Sequence, residues 1–294
     1  MLPRALALAA RAATWLPPAA DRRLAAAVGP AWCALDPARR RAVALNRSAL
    51  GVPFRLSAPF SAYTVSLFTW LRLLGSDSSW VRARTTFEGL EGPGGLREAA
   101  GRGGVVLLAA HVGSWEWGAA ALAAAGLPVV AVAATQMNDA WSPALAQAKV
   151  LLGVQVVGPH DGPWPLTRAL RRGGVVALLV DGDVASAVRP ARMGSLVALL
   201  PRGPALLAAR TGASLWAGRC EPAAAGGGRH DVRLSSLAPG RAVGTATLED
   251  REAVLHARVG AWLDATVRES PGAWCLFRPF FAGPMAAVAT GAAA

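Results

Sequence analysis

Lysine is almost absent from this chain. Lys149 is the only one in 294 residues, so nearly all of the 30 basic charges sit on arginine. A GC-rich genome, favouring Ala, Gly, Arg and Pro codons, accounts for that bias. Acidic residues are also few, at 18, which leaves a formal net charge of +12 and a sequence pI near 11.4. Such a surplus favours anionic partners: phospholipid surfaces, acidic proteins or nucleic acid. The last is set aside, because no helix-turn-helix, zinc-finger or RNA-recognition signature is present. Cysteine is scarce too. Cys33, Cys220 and Cys275 are far apart and odd in number, which excludes a disulfide framework and a CxxC metal site and points to a reducing compartment. His160, His230 and His256 are scattered, so no metal or other cofactor is expected.

Clean hydrophobic runs are lacking as well, although 53% of residues are apolar and the mean hydropathy is +0.36. The N-terminal MLPRALALAARAATWLPP is interrupted by Arg11 and broken by Pro17-Pro18, unlike a signal peptide. It reads as a short helix lying on a membrane or packed on the core. Trp117 to Asn138 is uncharged and long enough to span a bilayer, but Gly126-Leu127-Pro128 splits it into a helix-like and a strand-like half. No spanning helix is expected.

What the chain does contain is two textures. Residues 1–85 carry apolar residues at three- and four-residue spacings and read as helical, with Asp36-Pro37 as a helix start. We expect this region to associate with membranes. From about residue 100, short continuous apolar strands (GGVVLLAA, LPVVAVAAT, VQVVG, VVALLVDGD) alternate with helical segments. That alternation marks an α/β fold, a mostly parallel sheet flanked by helices on both faces, assigned to residues 86–282. The low-complexity 283–294 reads as a disordered tail.

The stretch LLAAHVGSWEWG, Leu107 to Gly118, ends a buried strand on one of four histidines. Ligand sites of α/β proteins cluster at such strand ends. Gly113 permits an unusual turn, Ser114 can cap the next helix, and Glu116 falls in that helix's first turn. On a continuous helix a spacing of five would hold His111 and Glu116 apart, whereas a strand–turn–helix could bring them together. An imidazole beside a carboxylate is a general base able to take an alcohol proton. The alternative stays open at this point: Glu116 complements the helix dipole, and His111 merely satisfies a strand end.

Around this motif the chain resembles the lipid A biosynthesis acyltransferase family, within the wider glycerolipid and lysophospholipid acyltransferases. The resemblance runs from about Arg39 to Phe281. It is carried by RRRAVALN, FEGLEG, GRGGVVLLAAHVGSWEWG, RALRRGGVVALLVDGD, LLPRGPALLAARTGASLWAG and PGAWCLFRPFF. It implies an HxxxxE catalytic pair, His111 and Glu116. It further implies an acyl carrier protein or coenzyme A thioester as donor and a hydroxyl of an anionic membrane lipid as acceptor. The implied location is peripheral, on the cytoplasmic side of a bacterial inner membrane. Lys149 stands near a position where the family tends to carry arginine; it could hold a phosphate or be a solvated helix residue. Asp181 and Asp183 map onto the family's acidic segment after the third strand. Asp181 could orient an arginine or the acceptor sugar, or cap a turn. Arg189, Arg192 and Arg202 are candidate phosphate contacts. ARMGSLVALLPRG replaces the family's aromatic-rich segment, which leaves the acyl pocket unspecified. A GxSxG elbow is absent, and an activated thioester needs no serine nucleophile. Rival acceptors are a lysophospholipid or a phosphatidylinositol mannoside, and a non-catalytic lipid-binding homologue is the remaining alternative.

Overall fold

The computed structural model describes residues 4–132, 149–150, 152–158, 161–182, 187–224, 226–240 and 247–284. The first third is helical, as its periodicity predicts: α1 (Arg4–Trp15), α2 (Pro18–Leu35), α3 (Pro37–Leu50), α4 (Ala58–Leu74) and a short α5 (Ser78–Ala83). Asp36 starts α3 as expected. Its carboxylate accepts from Arg39 N at 3.0 Å, and Pro37 fills the first position, where the missing N–H costs nothing. At Gly29, α2 approaches Ser61 of α4 so closely that an added Cβ would collide with it. One buried arginine ties α4 to the turn between α1 and α2. Arg72 donates from Nε to Ala13 O (3.0 Å), and from its terminal nitrogens to Leu16 O (3.0 Å) and to both carboxylate oxygens of buried Asp21.

The rest is α/β. A seven-stranded sheet has the order β1-β9-β8-β2-β5-β3-β4, built from β1 (Thr85–Glu88), β2 (Val105–Ala109), β3 (Val129–Val132), β4 (Val154–Val157), β5 (Val175–Leu179), β8 (Ser214–Pro222) and β9 (His230–Ala238). Every pairing is parallel except β8 with β9. Helices α6 (Leu96–Gly103), α7 (Trp115–Ala124), α8 (Trp164–Arg171), α9 (Gly203–Thr211) and the long α10 (Leu248–Glu269) cover it. Alternation along β2 distributes its side chains to two separate cores. Val106 and Leu108 face one, with Val176, Leu215, Val259 and Leu263; Val105 and Leu107 face the other, with Trp117, Val129 and Trp216.

Two features depart from the sequence reading. ARMGSLVALLPRG contributes an antiparallel hairpin, β6 (Val188–Met193) and β7 (Leu196–Pro201), joined at one edge by β10 (Phe281–Pro284). TTFE forms β1 alongside β9. The expected helix over SPALAQAKVLLG lies largely outside the described residues, where only Lys149 and Val150 are seen to be helical. Among the described residues no helix is long and apolar enough to cross a membrane.

Candidate active site

Parallel pairing of β2 with β5 aligns Ala109 with Leu179. His111 and Asp181 each stand two residues beyond that last pair, so register alone sets them side by side. They meet twice. Asp181 Oδ1 lies 2.9 Å from His111 Nδ1, and Oδ2 accepts the His111 backbone N–H at 2.9 Å. Asp181 is fully buried, while the His111 side chain keeps 26% of its surface. Trp274 Nε1 donates to the same carboxylate at 2.9 Å.

The backbone after β2 is fixed from several sides. Gly113 adopts φ +69°, and a Cβ there would run into Cys220 O, so the turn that starts α7 requires glycine. Ser114 N donates to Cys220 O (2.7 Å), and Ser66 Oγ donates to Gly113 O (2.9 Å). Ser114 holds the N-cap position of α7, but its hydroxyl makes no capping bond, contrary to the sequence expectation.

Electrostatics follow from this packing. Burial alone would depress the His111 pKa; the Asp181 carboxylate beside it, helped by Glu116, outweighs that and holds it above the ordinary imidazole value. Burial likewise pushes Asp181 up, but His111 and the bonds from Trp274 and the His111 N–H bring it below the usual carboxylate range. An ionised Asp181 is an acceptor only, so Nδ1 carries the neutral ring's proton and Nε2 keeps a lone pair. Burial also pushes the Cys275 thiol well above the ordinary thiol value, with Asp181 adding to it, so the thiol form is favoured there.

Glu116 is not the direct partner of His111. It sits in the first turn of α7 and pairs with Lys149 Nζ at 3.0 Å, against apolar walls from Trp70, Leu73, Ala119 and Ala120. Its charge reaches His111 only through space. The Lys149 side chain is 18% exposed and its charge is matched by Glu116. Arg202 grips buried Glu252 with two bonds of 2.6 and 2.7 Å, and Arg189 lies 3.9 Å from the same carboxylate. Both arginines thereby tie the β6–β7 hairpin to α10 through Glu252. Arg192 is exposed on β6. None of the three touches His111, Asp181 or Glu116. Asp183 and His160 lie outside the described residues.

The sequence reading missed the stretch that closes over the site. Val112 bridges Trp274, and Cys275 N donates to His111 O at 2.8 Å. Arg278 donates to Asp181 O at 2.8 Å. Buried Asn46 of α3 brackets this stretch, its amide nitrogen donating to Arg278 O (2.8 Å) and its oxygen accepting from Phe280 N (3.0 Å). The available signal was that Asn46 and Trp274–Phe280 fall within RRRAVALN and PGAWCLFRPFF.

The family model of bacterial lipid A biosynthesis acyltransferases matches residues 57–282. The chain belongs to that family. As a lipid A acyltransferase family member it is an acyltransferase, and its family implies an acyl donor and a lipid A-like acceptor. Lipid A acyltransferases are membrane-associated, and the lack of a spanning helix among the described residues is compatible with peripheral association. A search of curated protein sequences finds no match.

Proposed function

We propose that this chain transfers a fatty acyl group from an acyl carrier protein or coenzyme A thioester to a hydroxyl of a lipid A precursor-like membrane glycolipid, with His111 as general base. The observation that carries the reading is the double contact between Asp181 and His111, which leaves Nε2 as the proton acceptor on a partly exposed ring. Nε2 takes the acceptor's hydroxyl proton as that oxygen attacks the thioester carbon. The carbon–sulfur bond breaks, and the imidazolium returns the proton to the departing sulfur, which leaves as a thiol. Asp181 fixes the ring and stabilises the transient imidazolium. Glu116 strengthens the base through its field, and Lys149, paired with it at 3.0 Å, holds Glu116 in place.

The membrane reading is supported by the outer faces of α1 and α2, where Leu8, Trp15, Val28 and Leu35 are exposed. Arg11, Arg23, Arg40 and Arg41 are exposed on the same helical region. Exposed apolar side chains and cations on the same helical region suit an anionic leaflet, here the cytoplasmic side of the inner membrane, bound peripherally.

The test is acyl transfer by the purified chain to a lipid A precursor in mixed micelles, followed by mass spectrometry. The wild type should add one acyl chain and His111→Ala should add none. Transfer that survives in His111→Ala, or acylation of a lysophospholipid in place of the glycolipid, would defeat this reading. A carrier-protein donor is acidic and should lose rate steeply with added salt, whereas a coenzyme A donor should lose less.

A further inference from the structure

The site as described has two cations and two carboxylates. Asp181 is committed to His111, and Lys149 to Glu116. Arg278 is the cation left over: among the described residues no carboxylate lies within ion-pair reach of it. One N–H goes to Asp181 O at 2.8 Å and another makes a long contact of 3.4 Å to Pro279 O. A guanidinium carries five N–H donors in a fixed fork, so most of its capacity is unspent. The side chain is half-buried, with the Phe280 ring 5.6 Å from its central carbon. Its own carbonyl and the N–H of Phe280 are both held by Asn46. A long flexible side chain is thus anchored at its root by Asn46 and at its tip on the carbonyl of Asp181, the residue that holds the base.

We infer that Arg278 is a further catalytic residue, whose free N–H groups receive the oxygen on which negative charge builds as the acceptor attacks the thioester. The inference rests on the acyl-transfer reading above. As the acceptor O–H proton passes to His111 Nε2, an oxygen–carbon bond forms and the carbonyl π electrons move onto oxygen. That oxyanion collapses, the carbon–sulfur bond breaks, and the thiolate takes the proton back from His111. The oxyanion exists only between those events. A cation with no carboxylate partner among the described residues stabilises it more than the ground-state carbonyl, the condition for raising kcat and not only binding. A matched cation such as Lys149 would first have to leave Glu116.

Proximity to His111 gives an independent readout. The groups acting on the imidazole are Asp181 and Glu116, which favour its charged form, and Arg278, which disfavours it. Removing Arg278 therefore raises the His111 pKa and moves the acidic limb of the rate profile to higher pH. The shift reports the charge of Arg278 beside His111, and a fall in kcat with KM unchanged reports the contact with the oxyanion.

The experiment compares full-length wild type, Arg278→Lys and Arg278→Gln in the micellar assay, with thermal melts of each. Arg278→Gln should lose about 100-fold or more in kcat, leave KM for donor and acceptor within about twofold, and shift the acidic limb of kcat/KM upward. Arg278→Lys, keeping charge but not the fork, should recover part of the rate and the wild-type limb. Near-wild-type kcat in Arg278→Gln overturns the inference. So does a loss confined to acceptor KM, which would make Arg278 a ground-state grip on the lipid's anionic group. If Arg278→Gln melts well below wild type, Arg278→Lys decides, and a folded Arg278→Lys with unaltered kcat and KM overturns the inference. A wild type that transfers nothing defeats the acyl-transfer reading itself; a transferring wild type with an unimpaired Arg278→Gln defeats only this assignment.

Discussion

Asp181 holds His111 with both of its carboxylate oxygens, one on the ring and one on the backbone N–H of the same residue. One buried side chain thus orients the ring and also grips the strand-end backbone that carries it.

Asp181→Asn should keep much of the shape but lose the acceptor-only character that fixes the tautomer, and kcat should fall by about a thousandfold or more. The raised His111 pKa also places the acidic limb of kcat/KM above pH 6.5, because the base works only when neutral. The same shift has a stability sign. A raised folded pKa gives stability that is full below the unfolded value and is lost as pH rises through the folded one. Rate profiles and melts from pH 5 to 9 check both points, and an acidic limb below 6.5 would contradict the assignment.

Glu116→Gln should be milder than Asp181→Asn, costing roughly tenfold to a hundredfold in kcat, because Glu116 acts on His111 through space. It also moves the acidic limb to lower pH, since a charge favouring imidazolium is gone. A double-mutant cycle with Lys149→Met should show that the two changes are not additive, as the residues form one pair at 3.0 Å. Additive effects would show that the pair does not act as a unit.

His230 should be an acid-sensitive point of the fold. It stacks on Trp117 with ring centroids 4.0 Å apart, and burial, reinforced by the Arg72 charge, pulls its pKa down to about 4. The unfolded chain, with a value near 6.5, binds the proton first. Stability is complete above 6.5 and declines as pH falls toward 4, by up to about 3 kcal/mol at about 1.4 kcal/mol per pH unit. His256, also depressed by burial, adds to the same window. Denaturant titrations at pH 7 and pH 4.5 should show the loss, and His230→Phe should flatten it while leaving the decline due to His256.

Trp15 is 88% exposed and Leu35 83%, on the helices we assign to the membrane surface. Replacing both with serine should weaken binding to anionic vesicles by about tenfold or more, since each buried apolar side chain contributes roughly 1.5–3 kcal/mol. Thermal stability should hold, because neither residue supports the core. Flotation assays at low and high salt read the change, and unaltered binding would move the membrane face elsewhere.

Periodicity exposed the helical first third and the parallel sheet well, because buried strands such as VVLLA and VVALL are short, continuous and bounded by glycine. The strand-end histidine was legible for the same reason. Its true partner was not, since the juxtaposition of His111 and Asp181 depends on β2 and β5 being neighbours. Strand order is a long-range outcome that HxxxxE spacing cannot encode. Arginines were the poorest guides. In a chain where arginine is the default base, Arg202 and Arg189 on buried Glu252 look in sequence like any surface charge. Arg278 likewise gives no sign that it reaches Asp181. Asn46 was equally silent, because a buried amide whose two ends each bind a different peptide group has no local pattern to display.

Asn46 also sets a timetable for the newborn protein. It waits in α3 for partners more than 230 residues downstream, and His111 and Asp181 wait for Trp274 and Cys275. A chain emerging from the ribosome N-terminus first can lay down its helices and pair its early strands while the base still lacks its cover. Only once Trp274 to Phe280 have been translated can the closing stretch thread between Asn46 and the strand ends. On the proposed reading, a polypeptide halted before Trp274 carries the histidine without its cover, and acyl transfer waits for the closing stretch.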